Sequence, residues 1–317
     1  MLDIVIVNWN AGSQLLECLE SINVASDSDF KLNRVVVVDN ASVDGSLEAI
    51  SHLTLPLTII RNDENLGFGR ACNQGALESK ADFLLFLNPD TRLFSDSLFS
   101  PLQFLENKKN SKIGICGIQL IDEKGIVVRT CARFPRANTF TIKMLGLDRI
   151  LPLLFKSHFM TEWDHNETKE VDQVMGAFFL IRRSLYDALG GFDERFFVYF
   201  EEVDISYRAY KSGWKTIFLA SAQVFHKGGG TSQQVKASRL FYSIRSRILY
   251  AFKHYHMLSA TYLLVLTLLI EPLSRIVYAF GWGSKSQISE TLIAYQMLLK
   301  QLPTMMSVAL KRNKDDI

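Results

Sequence analysis

Five stretches of this sequence gather residue types able to do chemistry. Glu201, Glu202 and Asp204 set three carboxylates close behind Phe196, Phe197, Tyr199 and Phe200. Neighbouring like charges and an apolar surround raise one carboxylate's pKa and improve it as a general base. Acids in a first helical turn also simply answer the helix dipole. Asn88-Pro89-Asp90-Thr91 ends an apolar run abruptly and puts Asp90 at a strand's carboxyl end. A hard divalent cation takes such an oxygen ligand and shares it with substrate phosphates. A type I turn with Pro at its second position accounts for the tetrapeptide as well. His226, just ahead of Gly228-Gly229-Gly230-Thr231-Ser232, is a candidate metal ligand or phosphate contact. The glycines beside it would let backbone approach a ligand closely.

The segment 62–75 contains Asn65-Leu66-Gly67-Phe68-Gly69, whose glycines either cradle a phosphate at a helix start or form a turn. Gly67-x-Gly69 lacks the third glycine of a dinucleotide fingerprint and follows the third apolar run, not the first. That placement excludes a Rossmann oxidoreductase. Asp39-Asn40-Ala41-Ser42-Val43-Asp44-Gly45-Ser46 supplies ligand contacts or an Asx turn, with Ser42 or Asp44 capping the next helix.

These stretches need a scaffold. Apolar runs at 4–7, 35–38, 57–60, 83–87 and 113–118 alternate with amphipathic segments such as Leu15, Leu16, Leu19 and Ile22. Continuous apolar runs fit strands covered on both faces, and the βαβα order predicts a doubly wound, mainly parallel α/β sheet. Ligands of such sheets bind beyond the carboxyl ends of the strands. Residues 121–170 read as loops and short elements over the site. A strand near 177–181, a turn at Gly190-Gly191, a helix over 203–211 and a strand near 216–219 follow.

The 317 residues suffice for an α/β domain over 1–232 and a helical extension over 233–317. A hydrophobic fraction of 48% excludes global disorder, and a net charge of +2 gives no reason for nucleic-acid binding. Cys18, Cys72, Cys116 and Cys131 form no CxxC pair and read as thiols of a reducing compartment. The opening Met-Leu-Asp-Ile-Val-Ile-Val-Asn lacks a basic n-region and reads as a buried strand, not a signal peptide. The tail is basic and helical over 235–256. An uncharged run at 257–270 follows, then Glu271, Pro272 and Arg275, then an apolar run at 276–282. A span needs about 20 apolar residues, so the interrupted run predicts docking on a membrane surface, with a true span or a protein-buried helix as the alternatives. The basic flank suits anionic lipid.

Together these stretches resemble the family 2 glycosyltransferases of GT-A fold. They are most similar to the branch that contains bacterial rhamnosyltransferases of O-antigen and cell-wall assembly. The motifs that carry the resemblance recur in order across residues 2–256. They are Val5-Ile6-Val7-Asn8-Trp9-Asn10, the segment 38–46, the segment 65–75, Leu87-Asn88-Pro89-Asp90-Thr91, and 190–208 with its Gly190-Gly191-Phe192-Asp193-Glu194. His226 and the helix with Arg245, Arg247, Lys253 and His254 extend them.

The resemblance implies an inverting transfer of a sugar from a nucleotide sugar. Asp39 would contact the nucleobase, with Asn8 and Asn10 beside the nucleotide. Asn65, Gly67 and Asn73 would shape its pocket, and Asn88 and Asp90 would border the nucleotide sugar. Asp90 would ligate Mg²⁺ or Mn²⁺, helped by His226. Glu202 stands where the family has the catalytic Asp of a Glu-Asp pair, with Glu201 and Asp204 as its neighbours. Arg245 and Arg247 would pair the diphosphate of a polyprenyl-linked acceptor.

The donor implied by the nearest branch is dTDP-rhamnose, with UDP-sugars and other hexoses open. The setting implied is surface-polysaccharide (O-antigen, lipopolysaccharide) assembly at the cytoplasmic face of the inner membrane, as a peripheral protein. Asn88 removes one charge from the usual Asp-x-Asp, and Glu202 is one methylene longer than Asp. These departures keep a catalytically inactive nucleotide-sugar- or glycan-binding relative as the alternative. A nucleotidyltransferase is disfavoured because Asn8-Trp9-Asn10-Ala11-Gly12 carries no Lys or Arg.

Overall fold

The computed structural model describes residues 1–26, 30–50, 52–151, 154–155, 158–228, 235–281 and 283–312. The glycine-rich stretch 229–232 and the expected boundary at 232/233 lie outside the described residues. The chain divides into two compact units.

The first unit, Met1–Phe134, Phe159–Glu194 and Glu201–Thr231, holds the sheet. Its strands are β1 (Leu2–Asn8), β2 (Leu32–Asn40), β3 (Leu57–Asn62), β4 (Phe83–Leu87), β5 (Thr91–Leu93), β6 (Ile113–Ile121), β7 (Val127–Val128), β8 (Lys169–Val171), β9 (Phe178–Arg182) and β10 (Lys215–His226). They run in the order β3-β2-β1-β4-β9-β6-β10-β5, with β7 on β6 and β8 on β10.

The first half, β3-β2-β1-β4, is parallel, as helical crossovers require. β1 and β4 are buried along their whole length, which is why residues 4–7 and 83–87 read as unbroken apolar runs. β9 lies antiparallel between β4 and β6, so the sheet is mixed. A buried run records burial on both faces but not direction, and β9 is therefore indistinguishable in sequence from its parallel neighbours. Its reversal has a consequence: the start of β9 meets the end of β4, with Phe178 opposite Leu87.

Helix α1 (Ser13–Ala25) buries Leu15, Cys18, Leu19, Ile22 and Ala25, one face at helical spacing. Helices α2 (Phe68–Ala76), α3 (Phe99–Glu106), α6 (Arg183–Ala188) and α7 (Glu201–Lys211) complete the unit, and α4 (Ala137–Met144) and α5 (Leu147–Ile150) fall in the second. The two faces of the sheet carry separate apolar clusters, one around Ile4, Ile6 and Leu85, the other around Val5, Phe86 and Phe179.

The second unit comprises Pro135–His158, Arg195–Phe200 and Ser232–Ile317. It is helical: α4 and α5 join α8 (Lys236–His254), α9 (Met257–Leu269), α10 (Glu271–Gly281) and α11 (Lys285–Arg312). α8 buries Phe241, Ile244, Ile248 and Phe252 at spacings of three and four, and α11 packs along it. Met257–Gly281, 25 residues, is long and apolar enough to cross a membrane; its most apolar 18-residue window has a mean hydropathy of 1.8, and 22% of that window is buried.

Candidate active site

The carboxyl ends of β1 and β2 lie side by side, Asn8 opposite Asp39. The Asn8 amide donates to Asp39 Oδ1 at 2.7 Å, Ser46 Oγ at 2.8 Å and Ser42 Oγ at 3.1 Å. Ser42 N–H donates to Asp39 Oδ2 at 3.1 Å, and Asn10 Oδ1 accepts from Val43 N–H at 2.8 Å. Asn8 and Asn10 therefore act first on the protein, lacing the loop after β1 to the loop after β2. Asp39 is held from both sides, yet a carboxylate has about four lone-pair sites, so it keeps capacity for a ligand donor. Asp44 joins the same lattice. Burial raises its pKa, but hydrogen bonds from Ser46 and the Gly12 N–H outweigh that and hold it below the usual range.

Beyond β2 and β3 a second amide network supports the glycine segment. Asn62 Nδ2 donates to Asn40 Oδ1 and Gln74 Oε1, both at 2.9 Å. Asn40 Nδ2 donates to Gly67 O at 3.2 Å and Asn65 Oδ1 at 3.3 Å, and Asn65 Oδ1 also accepts from Gly67 N–H at 2.9 Å. Asn40, Asn62 and Gln74 were not singled out in the sequence. For two of them a signal was available, since Asn40 and Asn62 are amides that end apolar strands; Gln74 lies within α2 and carried none.

Asn73 faces another way. Its Oδ1 accepts from Tyr186 OH at 2.5 Å and Phe192 N–H at 2.9 Å, and its Nδ2 donates to Phe192 O at 2.9 Å and Glu194 Oε1 at 3.0 Å. It fastens α2 to the turn 190–194.

Asp90 follows β4, and His226 ends β10. His226 pairs with Thr91 across β10 and β5, which brings His226 Nε2 to 3.3 Å from Asp90 Oδ1. The two side chains are 8% and 11% exposed, so the pair is nearly enclosed. Asn88 is anchored by backbone: its N–H donates to Ala177 O at 3.0 Å, and its carbonyl accepts from Thr91 Oγ1 at 2.7 Å. One carboxylate and one imidazole suit Mg²⁺ or Mn²⁺ if phosphate and water oxygens complete the shell. No cluster of three or more potential ligands exists among the described residues, so a cation here would depend on its substrate for ligands.

The acidic triplet splits three ways. Glu202 packs against Gly176, at 3.8–4.0 Å from where a β-carbon there would lie. Gly176 precedes Ala177, the hydrogen-bond partner of Asn88, so Glu202 shares the end of the sheet that carries Asp90. Burial raises the Glu202 pKa, the direction a general base needs. Glu201 is turned to α2: burial, with the Glu201 charge adding, pushes the Cys72 thiol well up. Asp204 is fully buried, and its Oδ2 accepts from Arg208 Nε at 2.7 Å. Arg208 donates onward to Leu189 O at 2.7 Å and Gly191 O at 2.8 Å. Asp204 is thus engaged in an enclosed ion pair with Arg208. Tyr199 and Phe200, with φ of 68° and 73°, precede the pair in a left-handed backbone that bulky residues rarely adopt.

Arg245 and Arg247 belong to the helical unit. Arg245 is half-buried and donates to Arg195 O at 2.9 Å; burial pulls its pKa down. Arg247 is 8% exposed, sits over the Phe140 ring, and pairs with Glu271 and Thr267. These contacts engage Arg247 within the helical unit. Its nearest anion is the internal Glu271 carboxylate; the sequence shows Glu271 as a break in the apolar run but not its pairing with Arg247, 24 residues away.

Residues 3–190 match the family described as glycosyl transferase family 2. An N-acetylglucosaminyl-diphospho-decaprenol L-rhamnosyltransferase of Mycobacterium tuberculosis is 27% identical over 256 residues, 76% of this chain and 80% of that protein. The rhamnosyltransferase WbbL of Escherichia coli is 27% identical over 235 residues, 71% of this chain and 83% of its own. Among solved structures, the mannosyltransferase PcManGT of Pyrobaculum calidifontis, in complex with GDP-Man and Mn²⁺, superposes with a TM-score of 0.54. It shares 17% identity, and the match covers 98% of this chain and 84% of that one, a likeness of fold.

Proposed function

Because the chain belongs to glycosyl transferase family 2 and is a glycosyltransferase of GT-A-like fold, we propose that it moves a sugar from a nucleotide sugar to a polyprenyl-diphosphate-linked glycan, with inversion. The donor in this reading is dTDP-rhamnose; the names of both relatives support rhamnose as the sugar moved. The setting is surface-polysaccharide assembly, at the cytoplasmic face of the inner membrane. Asp39 takes a nucleobase donor, with Asn8 and Asn10 holding its loop, and the Asn65–Gly67 turn flanks the nucleotide.

Asp90 and His226 would hold Mg²⁺ or Mn²⁺. Such a cation supplies positive charge against the leaving diphosphate. Glu202 takes the proton from the acceptor hydroxyl while its oxygen forms the new bond to the anomeric carbon. The bond from that carbon to the diphosphate oxygen breaks on the opposite face, and a nucleoside diphosphate leaves. The observation that carries this reading is the placement of Asp90, His226 and Glu202 at one end of the sheet.

The test is transfer by purified protein to a synthetic polyprenyl-diphosphate-GlcNAc, with a panel of dTDP- and UDP-sugars, with and without Mg²⁺ or Mn²⁺. Transfer from dTDP-rhamnose is expected. Glu202→Gln lowers it by about 10²- to 10⁴-fold, the usual contribution of a general base, while donor binding survives. Asp90→Ala loses both transfer and metal dependence. Transfer from a different sugar only would replace the donor, and transfer intact in Glu202→Gln would remove the base.

A further inference from the structure

Within the helical unit, α9 and α10 form one nearly continuous rod. Ile270 N–H donates to Leu266 O at 2.9 Å and Ser274 N–H to Ile270 O at 3.0 Å across their junction. Leu258, Tyr262, Val265, Leu269, Leu273 and Val277 recur at spacings of three and four and are all exposed. They fall on one face, a stripe on the order of 30 Å long at 1.5 Å per residue. Phe280 ends it, 80% exposed. A soluble monomer rarely leaves so long an apolar surface in water.

We infer that this stripe docks the protein on an anionic lipid bilayer, with the α9–α10 rod lying in the plane of the membrane rather than crossing it. The inference deepens the membrane-site reading above by naming the contact surface and its orientation. Charge identifies the occupant. Lys253, half-buried over the Phe196 ring, precedes the stripe, Arg275 lies along the rod with its side chain 40% exposed, and the exposed Lys285 follows. Glu271 is the only acid between them, and it is 3% exposed, turned inward to Arg247 and Arg275. The outer surface thus offers cations at both ends and no exposed carboxylate, which matches anionic headgroups. A second copy of the chain fits less well. A two-fold pairing of the stripe with itself sets the Lys253 end against a Lys285 end, or each end against its like, and either arrangement opposes like charges.

The inner face of the rod decides the orientation. Ala260, Leu263, Thr267 and Glu271 recur at spacings of three and four and are buried. Arg247 of α8 reaches Glu271 and Thr267 from this side. α8 packs against α9, and α11 packs against both α8 and α10. A crossing rod would draw those helices into hydrocarbon with Lys236, Arg239, Glu290 and Lys300, at a cost no pairing among them offsets. Lying flat, the rod buries its stripe alone and leaves α8 and α11 above the headgroups.

Flotation with phosphatidylcholine vesicles, with and without phosphatidylglycerol, tests the contact on full-length protein without donor or acceptor. The wild type is expected to float with the anionic vesicles, less so as salt rises. Leu269→Glu/Val277→Glu is expected to float at least about tenfold less, since two apolar side chains are lost from the contact. Circular dichroism and transfer to a short-chain, water-soluble acceptor show that the variant is folded. Orientation is read with His256→Cys and Ser284→Cys in sealed proteoliposomes, using a membrane-impermeant maleimide; all four native cysteines are buried.

Labelling of both positions from outside is expected. Protection of one end would establish a span and overturn the inference. So would unchanged flotation of the double-Glu variant, or a wild type that stays off vesicles and sediments as a dimer the variant dissolves. Flotation with no sugar transfer would leave the docking surface standing and remove the enzymatic reading alone.

Discussion

Glu202 and its two neighbours illustrate how burial and facing divide chemically equal residues. Consecutive helical positions point about 100° apart. Glu201 is therefore turned to Cys72, Glu202 to Gly176, and Asp204 to Arg208. Burial raises only Glu202 in a place that faces the Asp90 end of the sheet. A base must be ionised to act, so a raised pKa moves the acid limb of kcat/KM upward. That limb is expected above the ordinary carboxylate value of 4.5, with activity gained as pH rises through it. Asp204→Asn should leave the limb in place and instead destabilise the fold by roughly 3–5 kcal/mol, because Arg208 loses its buried partner. A pH profile beside a denaturation curve separates the two acids; a limb that moves in Asp204→Asn would return the base to that residue. The sequence disclosed that an acid cluster sits at a helix start. It could not disclose which acid faces the cleft, because that depends on where Gly176 and Arg208 arrive from other elements.

At the scale of elements, the site is held by fasteners that join distant segments. Asn73 ties α2 to the turn 190–194, and Gly191 makes that contact possible. Gly191 has φ of 74°, and a β-carbon there would lie 2.7 Å from Asn73 Oδ1. Gly191→Ala is therefore expected to destabilise the protein by more than the roughly 1–2 kcal/mol of a left-handed alanine, since Asn73 must also move. Asn73→Ala should weaken the same joint, and the double variant should cost less than the sum of the two, because both remove one contact. Chemical denaturation of the three variants measures this; strict additivity would mean that the residues act apart. The strands and the turn at Gly190-Gly191 were legible because burial, β-branching and paired glycines leave local traces. The clasp was not, because hydrogen bonds spanning 119 residues leave none. Direction was equally silent in β9, whose apolar run reads the same either way up.

For the whole molecule, the helical unit raises the question of whether its charges serve substrate or structure. Basic residues along a helix invite assignment to an anionic substrate when seen as sequence. In the fold, Arg247 is enclosed by Thr267, Glu271 and the Phe140 ring, so α4, α8, α9 and α10 meet around it. Arg275 shares Glu271 at 2.9 Å, and the two arginines together outweigh burial, holding that carboxylate below its usual range. Removing Arg247 leaves Glu271 to Arg275 alone and costs roughly 1–3 kcal/mol, since the buried charge is only partly uncompensated. Arg247→Met is therefore expected to lower the stability of the helical unit by about that amount, and to lower vesicle binding only as far as the unit unfolds. Arg247→Met/Glu271→Leu should recover much of the loss, because an apolar pair of similar volume replaces the ions. An acceptor-binding role predicts the reverse pattern: a raised acceptor KM in Arg247→Met at unchanged stability, with no rescue by the second substitution. Acceptor kinetics and helical-unit unfolding, measured on the same two proteins, decide between an arginine that grips the substrate and one that holds together the unit carrying the docking stripe.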